Sequence, residues 1–161
     1  MNRMDKLLVF ALSGLRCALP LADIERILRA VEMSPVPNAP EIVMGLVNVH
    51  GHIIPVLNIR KLFHLPEVEI TLNDQIIIAH TTNRPVAILV DNVICVTEYS
   101  DQAIISSEEL FPGIEYLQGV AKLQDGILYI YNLDTLLSPE DEVGIEPLLS
   151  PDISMPDGDT R

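Results

Sequence analysis

The sequence contains no tryptophan, only three phenylalanines and only four tyrosines. That leaves few of the flat aromatic platforms on which barrel domains stack bases and sugars. Positive charge is nearly as scarce: ten lysines and arginines stand against 23 acidic residues, for a net charge of −13. A surface this acidic excludes nucleic acid, whose recognition needs clustered bases, and disfavours anionic membranes as a partner. Cysteine appears twice, at Cys17 and Cys95, with no Cys-x-x-Cys spacing. This excludes a disulfide framework and the usual zinc or redox motifs, and both thiols read as small buried hydrophobes. No run reaches the roughly 18 apolar residues of a membrane span. The apolar stretch at 7–12 is short for a signal peptide and follows Asp5. A cytoplasmic protein without direct membrane insertion is expected.

Catalytic constellations are absent too. There is no Gly-x-Ser-x-Gly, no Walker sequence and no phosphate-cradling glycine loop before a helix. His50 and His52 form a His-x-His, but Gly51 puts them at a hairpin tip and no third ligand lies nearby. We therefore expect no enzyme, no metal and no cofactor.

What is present is aliphatic. Apolar residues make up 48% of 161 positions, and they arrive in short runs broken by turns, the pattern of a mainly β domain. Runs at 6–12 and 16–19 flank Ser13-Gly14, and runs at 42–49 and 53–57 flank His50-Gly51. Further strands are expected at 75–80, 85–90 and 94–98, with a last pair at 119–123 and 127–131 turning at Asp125-Gly126. Ile24, Ile27, Leu28 and Val31 follow helical spacing and predict a short amphipathic helix. Asn58 and Asn132 are placed to cap short helices at 59–63 and 133–137. From residue 139 to 161, proline and seven acidic groups replace the apolar pattern, which predicts a flexible tail after a domain at 1–138.

The chain also resembles itself. Residues 45–63 align without gaps on 119–137, so that Gly45, Ile53, Asn58 and Leu62 meet Gly119, Ile127, Asn132 and Leu136 at an offset of 74. More loosely, 12–27 matches 81–96 at an offset of 69. Two echoes in the same order predict two related β subdomains.

The stretch from Pro40 to Phe63, PEIVMGLVNVHGHIIPVLNIRKLF, resembles the signature of the chemotaxis coupling protein (CheW-like) family. Val90-Asp91-Asn92-Val93 is similar to its Val-Asp-x-Val segment, and 116–123 with 126–128 is similar to its final strand pair. The resemblance implies two SH3-like five-stranded β-barrel subdomains with a few short helices. It implies a non-catalytic adaptor that joins the cytoplasmic tip of a chemoreceptor helical bundle to the regulatory domain of a histidine kinase in a membrane-associated array, and self-association is compatible with it. Carried over by position, the receptor groove would involve Ile24, Ile27, Val47, His50, Val93 and Val96. Kinase contacts would fall around Asn58, Arg60, Lys61, Leu117, Gln118 and Gly119.

Two positions depart from the family pattern: His50 replaces an arginine, and Asn58 replaces an aspartate. An arginine offers a fixed bidentate charge, whereas a histidine's charge depends on pH. The competing readings are a CheW-like scaffold of another sensory pathway, such as surface motility, and an unrelated β-barrel ligand-binding module.

Overall fold

In the computed structural model, which describes residues 4–30, 32–110, 112–114 and 116–146, eleven strands form two sheets. The strands are β1 (Met4–Leu12), β2 (Leu15–Pro20), β3 (Ile24–Arg29), β4 (Val43–Val49), β5 (His52–Leu57), β6 (Gln75–His80), β7 (Pro85–Val90), β8 (Asn92–Ser100), β9 (Ile104–Ser106), β10 (Leu117–Leu123) and β11 (Gly126–Tyr131). Short helices α1 (Ile59–Leu62), α2 (Ser107–Leu110) and α3 (Pro139–Ile145) and three 3-10 turns join them. One sheet runs β8-β1-β2-β11-β10-β9 and the other β3-β6-β7-β5-β4.

Turn chemistry sets the local pairing. Ser13-Gly14 and His50-Gly51 all have positive φ, between 51° and 88°. Two such residues make the tight turn whose twist suits a hairpin. At the last hairpin Gly126 already belongs to β11, so the turn sits one residue earlier than expected.

Each sheet wraps a core of its own. Leu28, Val47, Ile54, Ile76 and Leu89 come from all five strands of the smaller sheet into one cluster. Leu7, Ala18, Ala121 and Leu128, with the partly buried Tyr99 and Ile104, do the same for the six strands of the larger. One face can gather side chains from every strand only if the sheet is strongly curved. Among the described residues no ladder closes either sheet. The chain after β3 returns onto β4 through a single Ser34–Leu46 bridge, and β9, following β8, pairs with β10. The two expected five-stranded barrels are thus curved sheets of five and six strands, the sixth being the three-residue β9. The opposite faces meet in a third, shared core that includes Phe10, Leu19, Leu57, Ile77, Ile88 and Tyr131.

The internal repeat is present in the hydrogen-bond register. The irregularity between Val43 and Gly45 in the β4–β5 ladder recurs between Leu117 and Gly119 in β10–β11, at the same offset of 74. The parallel pair Val56–Ala87 has its counterpart in Ile130–Ala18. Ile27–Ile77 and Val96–Leu8 correspond at an offset of 69. These equivalences reveal an exchange. β3 follows β2 in sequence but joins the sheet of β6, and β8 follows β7 but joins the sheet of β1.

That exchange overturns the expected helix at 24–31. Residues 24–29 are strand β3, with 24, 26 and 28 half-buried and Glu25, Ile27 and Arg29 exposed. The spacing of its aliphatics fits a helix, but the open edge of Gln75–His80 offers a ladder to isoleucines on a distant segment. Tertiary pairing outweighs the local period. Val31 lies outside the described residues.

The chain also stays folded past residue 138. Ser138 and Asp141 form a reciprocal capping box at the start of α3, Ile145 is fully buried, and the Arg84 Nε lies 2.9 Å from Glu142 Oε1. The acidic composition of this stretch suits a helix N-terminus as well as a tail. The expected tail beyond residue 146 lies outside the described residues.

The repeat-related glycines perform one task. A Cβ on Gly119 would stand 2.6 Å from the Ile105 carbonyl oxygen and 2.7 Å from Ile104 Cγ2. A Cβ on Gly45 would stand 3.0 Å from Met33 Cβ and 3.1 Å from the Ser34 oxygen. Each lets the returning chain cross the strand closely. Gly119→Ala should therefore destabilise by about 2–3 kcal/mol and Gly45→Ala by about 1 kcal/mol, measured by urea unfolding.

Candidate protein-docking site

The exchanged strands β3 and β8 carry four of the six expected groove residues, as two repeat-equivalent pairs. Ile24 and Val93 lie at irregularities in their ladders, opposite Ala79 and Phe10. Both are half-buried and pack on the shared core. Three residues later, Ile27 and Val96 face solvent at 38% and 51% exposure. Ile94 adds a further apolar surface at 47%. Cys95, between Ile94 and Val96, is exposed rather than buried, in a run of three exposed residues on β8.

The other two differ. Val47 is 2% exposed and faces the interior of the five-stranded sheet, so its side chain supports that sheet and presents nothing to a partner. His50 is exposed at the β4–β5 turn with φ 51°. The turn is fixed by the Gly51 amide, which donates to Asn48 Oδ1 at 2.9 Å.

The expected kinase-facing residues separate in the same way. Lys61 and Gln118 reach solvent, and Lys61 pairs with Glu67 at 3.4 Å. Leu117 is buried, and Gly119 is enclosed by Ile104 and Ile105. Asn58 is buried at the N-cap of α1, but its side chain makes no capping bond, whereas its equivalent Asn132 accepts from the Asp134 amide at 3.1 Å. Arg60 is 3% exposed. Its guanidinium pairs with Asp91 and its Nε donates to Ser13 Oγ at 2.9 Å, while Asp91 also accepts from the Ser13 amide at 2.8 Å. Arg60 therefore pins the β1–β2 turn and the β7–β8 corner to α1, holding the start of β8. Repeat-equivalent Asp134 holds the other turn, accepting from the Thr82 amide at 2.6 Å.

Electrostatics bear on the same corner. Burial, and secondarily the Asp134 carboxylate, raise the Asp23 pKa just ahead of β3. Burial pushes the Cys17 thiol up to about 11, against the opposing hydrogen bond from Tyr131. Cys17 and Tyr131 face each other at 3.5 Å in the shared core, with Phe63 stacked on Tyr131 at 4.6 Å. A thiol in this state is not a nucleophile at neutral pH. Among the described residues no three His, Cys, Asp or Glu side chains gather as metal ligands, and no helix is long and apolar enough to cross a membrane. What the surface offers is apolar side chains on two exchanged strands, a setting for a protein partner.

Known proteins define the class. A sequence model described as CheW-like domain matches residues 6–141, and the chain belongs to that family. It is 25% identical over 142 residues to "Chemotaxis protein CheW" of Treponema pallidum, covering 84% of each chain. It is 26% identical over 148 residues to the protein of the same name in Bacillus subtilis, covering 89% of this chain and 93% of that one. The crystal structure of scaffolding protein TtCheW from Thermoanaerobacter tengcongensis superposes with a TM-score of 0.77 at 24% identity, over 86% of this chain and 96% of that one. This likeness supports the fold.

Two outcomes follow for the corner. Asp91→Ala strips Arg60 and the Ser13 amide of an acceptor and should cost about 2–4 kcal/mol, measured by urea unfolding. A raised carboxyl pKa favours the protonated folded state, so ionised Asp23 weakens the fold once pH exceeds its folded pKa. Asp23→Asn should raise Tm at pH 7, and the difference should vanish as pH falls below about 4.

Proposed function

We propose that this chain is a non-catalytic, cytoplasmic adaptor of chemotaxis-type signalling, linking the cytoplasmic tip of a chemoreceptor bundle to the regulatory domain of a histidine kinase. Membership of the CheW-like family is the ground for the class. The observation that carries the site is the matched exposure of Ile27 and Val96 on the two exchanged strands. A receptor tip is an amphipathic helical bundle, and a helix docks by laying apolar anchors against such a surface. Ile24 and Val93, half-buried beneath, support the contact, and His50 borders it as a polar neighbour. Val47 and Arg60 act from inside, one filling the sheet core and the other fixing the corner of β8. Lys61 and Gln118 are the exposed members of the kinase-facing set, and Asn58, Leu117 and Gly119 shape the backbone beneath them.

Calorimetry of the full chain against a receptor-tip fragment and against the kinase regulatory domain tests the reading. Both should bind with micromolar affinity or better. Ile27→Asp and Val96→Asp should each weaken the receptor tip about tenfold or more, since each places an unpaired charge in an apolar contact, while melting is nearly unchanged. His50→Arg should tighten receptor binding. Full affinity in both aspartate variants would remove the groove assignment, and absence of binding to either partner would remove the adaptor reading.

A further inference from the structure

Between α1 and β6 runs a twelve-residue connection, 63–74, longer than most links in a compact domain. Its middle reads Pro66-Glu67-Val68-Glu69-Ile70-Thr71-Leu72, apolar and polar residues alternating with the period of a strand. Among the described residues no strand pairs with it. Val68, Ile70 and Leu72 are 54%, 45% and 84% exposed. Among the described residues the backbone of 66–70 makes no hydrogen bond to the rest of the chain. Yet both ends are tied. The Leu65 amide donates to the Arg60 carbonyl at 2.9 Å. The Thr71 amide donates to Asp74 Oδ2 at 2.9 Å, and the Asp74 amide returns a bond to the Thr71 carbonyl at 3.1 Å. An unstructured linker needs neither the alternation nor the anchors. A segment that completes its ladder on another molecule needs both, because the anchors lower the entropy lost on docking.

Charge narrows the occupant. Glu67 and Glu69 alternate with Val68 and Ile70, Glu67 pairs with Lys61 of α1 at 3.4 Å, and 64–74 contains no lysine or arginine. A matching edge strand carries bases where it meets the glutamates and aliphatics where it meets the other face. We infer that 66–72 is a docking strand that adds to an open, lysine- or arginine-bearing sheet edge on the kinase regulatory domain. The inference rests on the adaptor reading for its choice of partner.

The test is calorimetry of the full chain against that regulatory domain at two salt concentrations. The variants are Val68→Ser/Ile70→Ser, which removes the apolar face, and Glu69→Lys, which reverses a charge and leaves the Lys61–Glu67 pair intact. Glu69→Pro removes one backbone donor from the docking strand. All replace exposed side chains, and thermal melting checks that each remains folded. A rise in Kd of about tenfold in each variant, with wild-type affinity falling as salt rises, is the expected result. Wild-type affinity in the variants overturns the docking strand and leaves the adaptor reading standing. No binding by the wild-type chain overturns both. If light scattering instead finds a wild-type dimer that the serine variant dissolves, the occupant is a second copy and the kinase-edge assignment falls.

Discussion

Each sheet of this protein is completed by the strand that leaves a hairpin of the other sheet. β3 leaves the hairpin of β1 and β2 to border β6, and β8 leaves the hairpin of β6 and β7 to border β1. Each interior takes a partly buried side chain from that strand, Leu28 from β3 and Tyr99 from β8, and neither strand can leave without breaking a ladder. The shared core of Phe10, Leu57, Ile77, Ile88 and Tyr131 then fills the space between the sheets. Two repeats become one packed unit, and the exposed apolar side chains of Ile27 and Val96 are a by-product of the exchange. Ile27 and Val96 face outward on strands whose inner neighbours are committed to packing.

The polar contacts around the exchange follow the same logic. Arg60 stands in a short helix of one half and pins a turn and a corner that the exchange brings together. At the equivalent site Asp134 takes the Thr82 amide, and Glu142 of α3 accepts from the Asn83 side chain at 3.0 Å. The two solutions differ in charge and agree in function: each joins a hairpin turn of one segment to the short helix that follows a hairpin of another. A buried guanidinium is tolerated because it is paired and hydrogen-bonded.

Much of this was legible in the residues. The hairpins at Ser13-Gly14 and His50-Gly51, the strands around them and the repeat offsets of 74 and 69 all have register counterparts. The offset of 69 already paired Ile24 with Val93 and Ile27 with Val96, so the twofold arrangement of the site was present in the self-alignment. Less accessible was which side each residue faces. Val47 and Arg60 occupy signature positions and turned out to be interior, while Cys95, with apolar neighbours, is exposed. The alternation at 66–72 was also in the sequence. Its significance needed the knowledge that, among the described residues, no strand pairs with it.

By itself the sequence determined whatever depends on neighbours a few residues away, the β class and the hairpin turns, together with the acidic composition. The tertiary structure alone decided whether 24–29 would be helix or strand, whether 139–145 would be tail or helix, and which apolar side chains remain outside. Those choices turn on ladders between segments far apart in the chain, from 46 residues (Arg29 and Gln75) to 96 (Met4 and Ser100). Spacing within one segment, which fits either outcome, carries no information about the edge that the segment will meet.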